Sequence, residues 1–109
     1  MTQVKYSPNV LFELEELFVV LIDKGYFSYY EQANDYVTGL INYIDNNISS
    51  LPKYRAPDNF KVYGASLHYI FYRRNQHTTW YIMFETIGDT YLIKHITNNH
   101  VVGHFFNND

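Results

Sequence analysis

Arg73 and Arg74 stand side by side in the stretch YRRNQHTTWY (residues 72–81), and His100 follows a later apolar run. Two guanidiniums and an imidazole are residue types suited to metal-free RNA cleavage. In that reaction a 2′-hydroxyl attacks the adjacent phosphate, which requires a base, an acid for the leaving oxygen and cations for the extra negative charge. Arginine presents planar paired donors that match phosphate oxygens. An unperturbed imidazole titrates near pH ~6.5 and moves protons near neutrality. His100 is therefore the acid or base candidate, with Arg73 and Arg74 as phosphate ligands. Side chains alternate along a strand. Arg73 thus shares a face with Leu67, Tyr69 and Phe71, and Arg74 with His68, Ile70 and Tyr72. Both faces are apolar, and His68 tips the choice slightly toward Arg74. Lys53, Arg55 and Lys61 before these strands, and Lys94 in the last one, are further cations for an anionic partner. Each residue also has a plainer reading: a paired arginine suits a solvated sheet edge, and His100 suits a surface loop. His100 and His104 have an H-x-x-x-H spacing, but with no cysteine and no HExxH motif neither a metal nor another cofactor is expected.

The composition bounds the host for this chemistry. The chain has 109 residues, which suits a single domain over 1–109. With 47% hydrophobic and 17% charged residues it reads as globular rather than disordered. Absence of cysteine excludes disulfides and thiolate catalysis. No apolar run approaches the roughly 18 residues of a membrane span, and MTQVKYSPN lacks a signal-peptide pattern. A soluble, cytoplasmic protein with no membrane partner is expected. The net charge of −3 argues against strong general nucleic-acid affinity. The charge is uneven, however: residues 1–50 hold two cations against seven acids, and residues 51–109 hold six cations against four acids and all five histidines. Two faces with different partners follow from that split.

The elements that must position the candidates can be read in order. TQVKY (2–6) alternates weakly, as a short strand does. Ser7-Pro8 reads as an N-cap and first helical residue, Leu11, Leu14, Phe18 and Leu21 form an apolar stripe, and Gly25 is a stop signal. Ser28 and Glu31 have capping-box spacing for a second helix, whose stripe is Ala33, Val37, Leu40, Ile44 and Ile48. The short break predicts an antiparallel helical hairpin. Residues 49–65 read as a loop, with room for a short strand near Phe60 to Tyr63. Three strands follow at 66–74, 78–86 and 90–97, joined by the turns Asn75-Gln76-His77 and Ile87-Gly88-Asp89 into an antiparallel meander. The tail leaves room for a further short strand from His100 to Phe106, and the last three residues are expected to fray. The expected fold is α+β: a short N-terminal strand, then a helical hairpin packed on one face of a small antiparallel sheet.

YSPNVLFELEEL, YEQANDYVTGLINYID, YIFYRRNQHTTWYIMFE and TYLIKHITNNH, in this order, resemble the two helices, the arginine-bearing hairpin and the final strand of the RelE/ParE superfamily of bacterial toxins. The resemblance covers roughly residues 2 to 100. It implies a small toxin neutralised by a cognate antitoxin protein. RelE-like members cleave messenger RNA on the ribosome, whereas ParE-like members act on DNA gyrase without nuclease activity. By the same resemblance, His100 falls where some RelE-like members carry a catalytic histidine, and Lys53, Arg55 and Lys61 where such enzymes bind the RNA backbone. The family's loop glutamate has no counterpart, Asp58 being the nearby acid, and the acidic net charge departs from the strongly basic ribosome-dependent members.

Overall fold

The computed structural model describes residues 2–102 and Phe106. Strand β1 (Gln3–Tyr6) leads into helix α1 (Pro8–Asp23), where the Ser7 hydroxyl accepts from the Val10 N–H at 3.2 Å and Pro8 occupies the first turn. Both start signals act as the sequence predicts. Gly25 lies past the helix end at φ 75°, a left-handed conformation that glycine adopts without a Cβ clash. Helix α2 (Tyr30–Asn47) starts without the expected capping box: Tyr29 is its N-cap, and no side chain caps it. Aromatic rings pack around the start of α2. Phe18 stacks on Tyr30 at 5.8 Å, and Phe27 meets Tyr36 at 5.8 Å.

Strand β2 (Tyr54–Arg55) is followed by a 3-10 helix (Asp58–Tyr63) at the place where a strand near Phe60 to Tyr63 was expected. Strands β3 (His68–Arg73), β4 (Thr79–Ile87) and β5 (Thr90–Asn98) form the predicted meander, and α3 (Asn99–Val102) is one helical turn rather than a strand. The rest of that anticipated tail strand, apart from Phe106, lies outside the described residues.

The sheet order is β1-β5-β4-β3-β2, and it is mixed rather than antiparallel because β1 runs parallel to β5, Gln3 opposite Thr90 through Tyr6 opposite Ile93. A local pattern specifies a strand but not its partner. A parallel pair needs a long crossover, and the helical hairpin supplies part of it.

The central strand β4 is buried from Thr79 to Phe84, which explains why neither face of this pattern is polar. On one face, Val10, Leu14, Leu40, Ile44 and Ile48 of the helical layer pack against Ile70, Ile82, Phe84, Ile93 and Ile96. Burying each such aliphatic side chain contributes about 1.5–3 kcal/mol. The opposite face holds Tyr69, Tyr81 and Met83 and is closed by Phe60 of the 3-10 helix, Val102 and Phe106. Among the described residues no helix is long and apolar enough to cross a membrane.

Candidate functional site

The tight β3–β4 connection organises one end of the sheet. Asn75 Oδ1 accepts from the His77 and Thr78 N–H groups at 2.8 and 3.0 Å, and Arg74 N–H donates to Thr78 O at 2.9 Å. The start of α3 docks on this turn: Asn99 accepts from Thr79 N–H at 2.8 Å and donates to His77 O at 3.1 Å. The same docking sets His100, whose Nε2 and Thr78 Oγ1 share a hydrogen bond at 3.1 Å. Arg73 ends β3 exposed, and its Nη2 reaches Gln76 O at 3.5 Å. Arg73 and His100 thus attach to one turn. His77, exposed on that turn, adds a second imidazole that the sequence reading treated only as a turn residue. No Asp or Glu occurs from residue 66 to 84 or from 90 to 108, so both segments that build this end are free of acids.

Arg74 behaves differently. Its Nη1 donates to Tyr36 O at 3.0 Å, and its guanidinium lies 3.9 Å from the Tyr36 ring centroid. It fits because α2 has glycine opposite: a Cβ on Gly39 would come within 3.1 Å of Arg74 Nη2. The slight sequence preference for Arg74 is therefore reversed. It faces the helical layer and is fastened there, while Arg73 stays at the surface.

The other candidate cations lie apart from this end. Lys53 donates to Leu51 O at 2.8 Å and sits 5.5 Å from the Tyr91 ring, tied to the end of α2. Arg55 and Lys61 line a cleft of about 260 Å³ with Asp58 and His68, between the 3-10 helix and the far end of β3. Lys94 is the extra residue of a β-bulge: Met83 opposes His95 while Phe84 opposes Ile93. The bulge places Ile93 and Ile96, three residues apart, in one core.

A second polar cluster carries no sequence signal. β1 ends opposite Ile93, leaving the outer edge of β5 beyond it without a strand neighbour. Helix α1 serves that edge with side chains. Glu13 accepts from Ile96 N–H at 2.9 Å and lies 2.7 Å from His95 Nδ1, and Asn9 donates to Lys94 O at 3.5 Å. His95 stacks flat on Tyr63 at 3.8 Å. With Glu13 occupied at both oxygens and His95 pressed on Tyr63, this cluster is built to join elements.

Among the described residues no group of three or more His, Cys, Asp or Glu could hold a metal ion; His104 lies outside them. Among the described residues, the chemistry available at the β3–β4 end is that of the exposed Arg73 guanidinium and two imidazoles, on segments that carry no Asp or Glu. Such a set can bind an oxyanion and move protons. The chain matches no protein-family model, no curated protein and no solved structure.

Proposed function

We propose that this chain is a RelE/ParE-like toxin component that cleaves messenger RNA, in association with the ribosome, and is neutralised by a cognate antitoxin protein. The observation that carries the reading is the attachment of Arg73 and His100 to the turn that also holds His77, without a carboxylate in the segments that build it. One imidazole takes the 2′-hydroxyl proton as that oxygen bonds to phosphorus. The bond from phosphorus to the 5′-oxygen breaks, and the other imidazole protonates the departing oxygen. The Arg73 guanidinium meets the non-bridging oxygens, where negative charge grows. The products are a 2′,3′-cyclic phosphate and a 5′-hydroxyl, and no metal enters.

A second reading has its own observation. Helix α1 exposes Leu11, Phe12, Val19 and Val20, with Phe12 at 58%. Such an apolar surface suits a protein partner, either the antitoxin or, in a non-catalytic inhibitor, DNA gyrase. Controlled expression in a bacterium, with growth and RNA integrity followed together, separates the two. Growth arrest with RNA cleavage that Arg73→Ala abolishes is the expected result. Arrest with intact RNA removes the nuclease and leaves the protein-binding inhibitor. Folded protein with no arrest removes both.

A further inference from the structure

Strand β2 pairs only with His68 and Tyr69, so β3 continues past it without an outer neighbour. Because Arg74 N–H points to Thr78 on the β4 side, alternation turns the backbone groups of Phe71 and Arg73 toward the open edge. No described residue partners them.

A groove of about 450 Å³ runs along this edge, and it is aromatic: Tyr43, Tyr54, Phe71 and Tyr72 line it, with Arg73 the one charged side chain among the described residues there. Tyr43 lies flat on Tyr72 at 3.7 Å and 9°, a rigid wall. Burial, and then the neighbouring Tyr72, raise the Tyr43 phenol above its ordinary range, so it stays a neutral donor. Tyr54 tilts over Phe71 at 5.9 Å and is 43% exposed, leaving ring surface open.

Three features coincide here: an open aromatic face, unpartnered backbone donors and acceptors, and a guanidinium at the mouth. Single-stranded nucleic acid is held by stacked rings and cations, and its bases are read by hydrogen bonds to their edges. An added peptide strand needs a longer run of free edge than Phe71 to Arg73 provides, since β2 blocks one end and the turn the other. We infer that this groove takes one nucleobase of single-stranded RNA, stacked on Tyr54 with its edge toward the Phe71 and Arg73 backbone and its phosphate on Arg73. The inference rests on the RNA-cleaving reading and adds a subsite to it: Arg73 joins groove and turn, so the stacked nucleotide lies beside the cleavage position.

The test uses the whole chain and a fluorescein-labelled 2′-O-methyl RNA strand, which cannot be cleaved, with binding followed by anisotropy. Tyr54→Leu should weaken binding about ten-fold, the loss of one stacked base. Tyr54→Phe should retain it, and Tyr26→Leu, an exposed ring on the helical hairpin loop, should change nothing. In the wild type, the amide signals of Phe71 and Arg73 should shift as the strand is added. That measurement decides the matter even if Tyr54→Leu fails to fold. Wild-type binding with a neutral Tyr54→Leu and unmoved edge amides overturns the groove while leaving the RNA reading intact. No binding of the strand by wild type overturns the groove, while the ribosome-associated cleavage stands or falls on the growth and RNA-integrity assay. Loss of growth arrest in Tyr54→Leu with RNA binding unchanged also overturns the inference and makes the edge a protein-docking site.

Discussion

Two neighbouring arginines in this chain have opposite surroundings, and the difference can be measured. Arg74 holds Tyr36 O and lies on the Tyr36 ring, whereas Arg73 reaches only the carbonyl of its own turn, at 3.5 Å. Arg74→Ala should therefore lower stability by about 1–2 kcal/mol in urea unfolding, and Arg73→Ala should stay within roughly 0.5 kcal/mol. Loss of RNA cleavage should follow the reverse order. A comparable contrast concerns Tyr6. Burial first, then the 2.7 Å hydrogen bond to Asp45 and the charge of that carboxylate, raise its phenol well above the ordinary range. The protonated form is favoured in the folded state. Its contribution is therefore complete below the ordinary value near ~10 and is lost as pH rises beyond it. Tyr6→Phe should cost about 1 kcal/mol at neutral pH. Between neutral pH and about 11 it should also flatten the alkaline fall in stability. An unchanged alkaline limb would show that Tyr6 ionises as freely in the fold as outside it.

At the scale of elements, the outer edge of β5 beyond Ile93 is joined by side chains rather than by a strand. Glu13 occupies the place where a further strand would offer a carbonyl, accepting from Ile96 N–H. Glu13→Ala leaves that N–H and His95 Nδ1 without their partner, so a loss of about 1–3 kcal/mol is expected. Glu13→Gln keeps an acceptor and should lose less. Hydrogen exchange at Ile96 gives the direct readout: it should quicken in the alanine variant, and unchanged protection would assign the edge to some other contact. Such an edge could not be read from the chain, because Glu13 and Ile96 meet across 83 positions. What was legible is local. Ser7-Pro8 started a helix and Gly25 ended it because caps and left-handed turns act within a few residues. The three-strand meander followed from short turns. The parallel partner of β1 was not legible, and neither was the fate of Ser28 and Glu31, since α2 starts from Tyr29 with no side-chain cap. The site divided in the same way. That Arg73 and His100 share an end of the sheet follows from strand order. That Arg74 is removed from it depends on the carbonyl of Tyr36 and the missing side chain of Gly39.

Across the whole molecule, the charge split in the sequence becomes a division between layers. The acidic first half forms β1 and the helical layer, and the histidines and most cations lie with the second half, which builds the rest of the sheet. The helical layer covers one sheet face, so the RNA-cleaving surface proposed above has the opposite face and its ends available. Much of that opposite face is occupied as well. Phe106 stacks on Tyr81 at 3.9 Å and 6°, meets Tyr69 edge-on at 4.9 Å and is 7% exposed. An apolar pair in the tail has no period from which packing can be read. The ring of Phe106 nevertheless completes the second core with Phe60 and Val102. The turn that carries Arg73 and His100 lies at the end of the sheet, where this plug leaves them exposed. Phe106→Ala should thus cost about 3–5 kcal/mol, a large part of the ~5–15 kcal/mol typical of a domain. Phe106→Leu, which fills more of the space, should cost much less. Urea midpoints of the two variants give the comparison. Equal midpoints for alanine and wild type would mean that this ring does not close the second core, and that the sheet face beneath it is open to a ligand.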